Sequence, residues 1–138
     1  GASAASQGEG GKDVEATSLP AGPVPVADQL PANNPVRKSA LAYVAAYEAA
    51  YGKGSVSTFG AHAWDAGLLM SNAVPEALKK AQPGTPEFRA ALRDAFESMG
   101  RTVISHGVLE WTPQDHWGYT NETGVMMQVV DGKFKVIQ

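Results

Sequence analysis

Cysteine is absent from the 138 residues, which excludes disulfides and thiol catalysis and leaves the redox compartment open. No apolar run approaches the ~20 residues that a bilayer-spanning helix needs. Charge of one sign is also missing. The 14 acidic and 11 basic side chains give −3, and Lys and Arg are dispersed. Nucleic acid calls for a concentrated basic face and is not an expected partner. Several catalytic signatures are lacking too: there is no nucleophile elbow and no H-E-x-x-H. Gly10-Gly11-Lys12 lacks both the upstream glycine and the following Ser or Thr of a phosphate-binding loop. Gly1 to Gly11 has neither the basic start nor the apolar centre of a secretory leader. Taken alone, the sequence predicts either a cytoplasmic chain or one without its natural beginning.

What is present suffices for one domain with a modest core, since the hydrophobic fraction of 43% is ordinary. The organising stretch is Phe59-Gly60-Ala61-His62-Ala63-Trp64-Asp65-Ala66-Gly67-Leu68-Leu69-Met70. A short run, Ser57-Thr58-Phe59, reads as the end of a strand, and Gly60 passes it into a long helix. Ala63, Ala66, Met70, Ala73, Val74, Ala77 and Ala81 share one side of that helix and form its expected buried stripe. Asp65, Asn72, Glu76 and Lys79 form a polar strip. A strand running into a buried helix is a βα unit, and ligands collect at the carboxyl ends of such strands.

The flanks follow simple rules. Gly1 to Gly11 is low-complexity and reads as a flexible tail. Val14 to Leu19 fits a short strand. Pro20, Pro23, Pro25, Pro31 and Pro35 punctuate an extended connection, because proline fixes its own φ and restricts its predecessor. Asn34 as cap and Pro35 in the first position predict a helix carrying Val36, Ala40, Tyr43, Val44, Tyr47 and Tyr51 on one stripe, ended by Gly52. The tyrosines read as core or interface rings rather than a ligand stack. Pro75 predicts a kink or restart. Thr85-Pro86-Glu87 predicts another helix, with Phe88, Ala91, Leu92, Ala95, Phe96 and Met99 buried and Gly100 as its stop. Short strands are expected at Thr102 to Ile104 and Val108 to Trp111. Val125 to Val130 and Lys133 to Ile137 flank Asp131-Gly132, a two-residue hairpin signal. The order of elements favours α/β or α+β.

Three histidines fall in three segments. His116 beside Asp115 would bind a metal only if His106 or Glu110 converged on it, and the spacing gives no such support. The pair reads as a solvated turn, and no metal site is assigned. Glu110 and Trp111 read as an edge-strand pair before a cleft lining. His62 lies in the first turn after Gly60, where free backbone N–H groups attract carboxylates, and Phe59 could pack on an apolar side chain. The competing reading has His62 bonded to a neighbouring strand.

Four segments in order resemble one family. They are Gly11-Lys12-Asp13-Val14-Glu15, the G-A-H-A-W-D-A core within Ser57 to Met70, Pro83 to Arg93, and Ser105-His106-Gly107-Val108. The family is the leucine/isoleucine/valine-type, type I periplasmic substrate-binding proteins of ABC transporters. The resemblance covers about Gly11 to Gln138 and implies only the C-terminal part of such a protein. The implied fold class is α/β, a partial type I periplasmic-binding-protein fold. It would hold the C-terminal segments of two doubly wound lobes, with about three main helices, short strands and a C-terminal β-hairpin. The implied organisation is a tail at 1–11, a second-lobe strand and crossover at 12–27, a first-lobe βα segment at 28–115, and a crossover with the second-lobe hairpin at 116–138. The implied role is capture of an amino acid or a small aromatic or carboxylated compound in the periplasm, presented to a permease. No enzyme activity, cofactor or metal is implied. Phe59, Gly60, His62 and Trp64 are the implied ligand-binding residues. Strands left with open edges would invite self-association by strand or segment exchange. Two other readings compete: a truncated assembly module with no ligand, and a small hydrolase using His116 and Asp115.

Overall fold

A computed structural model describes residues 11–137 of the chain. The tail expected at 1–11 therefore lies, except for Gly11, outside the described residues. Three α-helices form the bulk: α1 Arg37–Tyr51, α2 Thr58–Leu78 and α3 Pro86–Glu97. Five short strands accompany them: β1 Ser18–Ala21, β2 Thr102–Val103, β3 Val108–Leu109, β4 Val125–Val130 and β5 Lys133–Ile137. This is the partial α/β fold that the sequence implied. All strand pairing among the described residues is antiparallel, in two separate sheets of order β1-β4-β5 and β2-β3.

The hairpin β4–β5 turns on Asp131 and Gly132, both at positive φ (52° and 69°), as a type I′ turn requires. Glu15 secures that turn from a distant part of the chain: its carboxylate accepts the N–H groups of Asp131 and Gly132. Val26 and Met127 are fully buried under the sheet, with Leu19, Phe134 and Val136 packed around them. The strand expected at Val14 to Leu19 lies later, at Ser18–Ala21. Gly11–Val14 and Val24–Gln29 are 3-10 turns rather than extended chain. Prolines at 23 and 25 carry φ values that suit such turns.

The α1 stripe is largely as expected, with Val36, Ala40 and Tyr43 buried and Gly52 at φ 94° closing the helix. Its start is later than Asn34-Pro35 predicted. Asn34 instead accepts from the Val36 N–H, holding a turn just ahead of Arg37. Tyr51, at the end of the stripe, is 70% exposed. In α3, Thr85 accepts from the Phe88 N–H, Pro86 takes the first position, and Ala91 and Ala95 are buried, all as predicted.

The larger corrections fall on α2. No strand runs into it, since residues 52–57 are turn and irregular chain. Ser57 is its N-cap, accepting from the Gly60 N–H, so Thr58 and Phe59 are already helical. Pro75 lies inside one continuous helix and causes no restart. The buried side carries Ala61, Asp65, Leu69, Ala73 and Ala77, rotated from the predicted stripe. Ala63, Ala66 and Met70, expected inside, are exposed. Together with Phe59 and Gly67 they leave an apolar strip of α2 facing water.

Candidate functional site

The first two turns of α2 carry all four residues singled out as ligand-binding. Phe59 is 82% exposed. Gly60 is a packing residue: a Cβ there would collide with the Tyr43 hydroxyl. That hydroxyl donates to the Ser57 carbonyl at 3.0 Å, tying α1 to the start of α2. Burial raises the Tyr43 pKa above that of an ordinary phenol. Trp64 lies against the Tyr43 ring at 5.8 Å. His62 stacks on His106, with ring centroids 3.9 Å apart and planes 13° from parallel. At 100° per residue, His62 and Trp64 emerge about 160° apart around the helix. Phe59 and His62 therefore share one side of the turn, and Gly60 and Trp64 share another.

Beneath His62 is a constellation that the polar strip concealed. Asp65 is 3% exposed, and both of its oxygens point at a turn 40 residues away. Oδ1 accepts the Ser105 N–H at 2.7 Å and Oδ2 the His106 N–H at 3.1 Å. Nδ1 of His106 lies 3.4 Å from Oδ2. The turn itself is closed by the Ile104 N–H donating to the Gly107 carbonyl. Its other sides are packed tightly. A Cβ at Gly22 would come within 2.6 Å of the His106 ring, and one at Gly107 would collide with the Thr123 side chain. Thr123 exchanges hydrogen bonds with the Val108 backbone in both directions. The Ser105 to Val108 segment is thus wedged between α2 and two chain segments, at Gly22 and Thr123. His62 is exposed overall, but partial desolvation where it lies on the His106 ring lowers its pKa; the charge of His106 adds to this, and Asp65 opposes it.

A signal for this constellation exists in the sequence. His62 and Asp65 stand three apart in a helix, on one face, and Ser105-His106-Gly107 reads as a turn. Neither cue names the other. The sequence placed Asp65 among solvated side chains because nothing local offers it a partner.

Asp115 and His116 do not act together. Asp115 accepts the Trp117 and Gly118 N–H groups, while His116 bonds Glu97 at 2.9 Å. His106 joins His62 and Asp65 instead. Glu110 stays exposed in an edge position, its N–H donating to the Gly118 carbonyl. Trp111 packs edge-on against Phe96 and helps line an open, mainly apolar cleft of about 410 Å³ along α3.

Comparison with solved structures places this partial α/β fold beside extracellular ligand-binding receptors. A Rhodopseudomonas palustris protein superposes with a TM-score of 0.91 at 35% identity, over 99% of this chain and 38% of that one. An extracellular ligand-binding receptor from Rhodopseudomonas palustris HaA2 is 39% identical, with a TM-score of 0.86, over 97% of this chain and 37% of the receptor. A protein from Rhodospirillum rubrum, described as a candidate branched-chain amino acid ABC transporter, is 28% identical with a TM-score of 0.65, over 99% of this chain and 34% of its own. No protein-family profile matches the chain, and no curated protein matches it. The chain thus carries a partial type I periplasmic-binding-protein fold and spans a little over a third of the length of the relatives it matches. Those relatives include extracellular ligand-binding receptors.

Proposed function

We propose that this chain is the C-terminal part of an extracytoplasmic solute-binding protein of an ABC transporter. The parent would bind a branched-chain or other amino acid, or a small aromatic or carboxylated compound, and deliver it to a membrane permease. Residues 12–27 and 116–138 would build the second lobe and residues 28–115 the first. The observation that supports the reading is the likeness, over nearly the whole chain, to ligand-binding receptors of more than twice its length. Phe59 fits the role of ligand contact. It is a large aromatic held out in water at the start of a helix, where folding gains nothing from it. First-turn N–H groups of α2 would receive a carboxylate, and Phe59 and His62 would flank it from one side. Gly60 and Trp64 would shape the rim of the same turn. No chemistry is performed on the ligand.

A chimaera tests this. Residues 12–137 replace the matching segment of the Rhodopseudomonas palustris HaA2 receptor, and calorimetry follows a panel of branched-chain and aromatic acids. A bound acid whose affinity drops about tenfold, roughly 1.4 kcal/mol, in Phe59→Ala supports the reading. A folded chimaera that binds none of the panel, or binds with no response at Phe59, refutes it.

A second reading has one specific observation in its favour. The strip Phe59, Ala63, Ala66, Gly67 and Met70 is apolar and exposed. On its own, the chain would then act as a self-associating module with no ligand, burying that strip against a second copy.

A further inference from the structure

We infer that His62, Asp65 and His106 form a binding site for a transition-metal dication of the zinc type. One donor atom from each residue lies within 4.8 Å of the other two. Two of the three are already in position. In a tetrahedral shell with bonds of about 2.0–2.1 Å, neighbouring donor atoms stand roughly 3.3–3.4 Å apart. Nδ1 of His106 and Oδ2 of Asp65 are 3.4 Å apart. Each Asp65 oxygen holds one backbone N–H, which leaves a lone pair on each for an ion.

His106 supplies the independent observation. Its side chain is only 5% exposed, and neither ring nitrogen has a hydrogen-bond partner. Buried imidazole nitrogens are ordinarily paired, and leaving one unpaired costs free energy. An ion at Nδ1 removes that cost on the side facing Asp65. The donor set is two imidazoles and one carboxylate. That set suits zinc, cobalt, nickel or copper over calcium or magnesium, which favour oxygen alone.

The third ligand must move. Imidazole lone pairs lie in the ring plane, and two nearly parallel rings 3.9 Å apart cannot both point at one ion. His62 is the exposed member of the stack. It sits three residues before Asp65 on the same helical face, so a change of its side-chain torsions alone turns its ring toward the other two. Because His62 borders solvent, water would fill the fourth position. The ion would pin α2 to the Ser105 to Val108 wedge and, through the Gly22 contact, to the chain leaving β1.

The test uses the whole 138-residue chain, stripped of metal, titrated with zinc by calorimetry and with cobalt by visible absorption. Saturable uptake of one ion per chain is expected, with the absorption of tetrahedral cobalt. His62→Ala leaves the fold intact, because the residue is exposed, and is expected to weaken zinc at least tenfold. His106→Gln is expected to do the same, and the circular dichroism of each variant reports folding. His116→Ala, in the surface pair with Glu97, is expected to bind zinc like the parent. No saturable uptake, or uptake indifferent to folded His62→Ala, overturns the site. So does uptake that disappears in His116→Ala.

Discussion

The carboxylate of Asp65 holds the backbone N–H of His106 at 3.1 Å, and through it the whole Ser105 to Val108 turn. A single acidic side chain, 3% exposed, thus joins helix α2 to a segment 40 residues further on. Asp65→Ala strands two buried N–H groups, and a loss of about 2–4 kcal/mol of stability is expected. Asp65→Asn keeps one acceptor oxygen but turns an amide N–H₂ toward donors, so it recovers only part of that. Urea unfolding followed by circular dichroism reads both values. A loss below ~1 kcal/mol for the alanine variant would show that the turn holds without it.

Gly60 and the Tyr43 hydroxyl occupy adjoining space, and a methyl group cannot be added without displacing the ring. Gly60→Ala is expected to destabilise the chain by about 1–3 kcal/mol despite the better helix propensity of alanine. Tyr43→Phe removes the colliding oxygen at the cost of its bond to Ser57. The two substitutions together should cost less than the sum of the singles. Strict additivity in a double-mutant cycle would count against the contact.

The His62 imidazole should titrate below 6.5, because partial desolvation against the His106 ring disfavours its charged form and the charge of His106 adds to the effect. As pH falls through 6.5, the unfolded chain takes up this proton first. The contribution of His62 to stability is therefore complete above 6.5 and is lost as pH drops toward the folded value. Proton NMR of the ring gives the midpoint directly. His106→Ala should raise it by opening the site to water, and an unchanged midpoint would remove His106 as a cause.

The exposed strip on α2 predicts self-association of the isolated chain. Light scattering coupled to gel filtration should show a dimer or larger species at tens of micromolar. Replacing Met70 by Lys and Phe59 by Ser should return the monomer, since a charge in the strip opposes its burial. A monodisperse monomer for the parent chain would exclude the assembly reading.

How far the sequence could be read depended on whether the signal was local. Asp131-Gly132 and Thr85-Pro86-Glu87 announce a turn and a helix start through the chemistry of two or three neighbours, and both stand where expected. The α2 face did not, because small and apolar residues surround much of that helix. Ala73 and Ala77 are buried as expected, but periodicity alone could not choose between the side of Ala61 and Leu69 and that of Ala63, Ala66 and Met70. Ser57-Thr58-Phe59 misled in the same way: β-branched and aromatic residues suggest a strand, but a serine cap beside Gly60 decided the matter. Asp65 was the deepest omission. Its partners are backbone groups, which a sequence does not display, and they lie beyond any helical window.

Strand β1 pairs along its whole length with β4, and the Gln29 side chain bonds the backbone at Phe134 and Val136. Two stretches near the ends of the described chain are thus stitched to each other, with all three α-helices between them in sequence. A growing polypeptide cannot complete this small sheet until residues Val125–Ile137 leave the ribosome. Loops that long close slowly, and the waiting edge of β1 is open to other chains meanwhile. Losing the β4–β5 hairpin would therefore leave β1 without a partner as well.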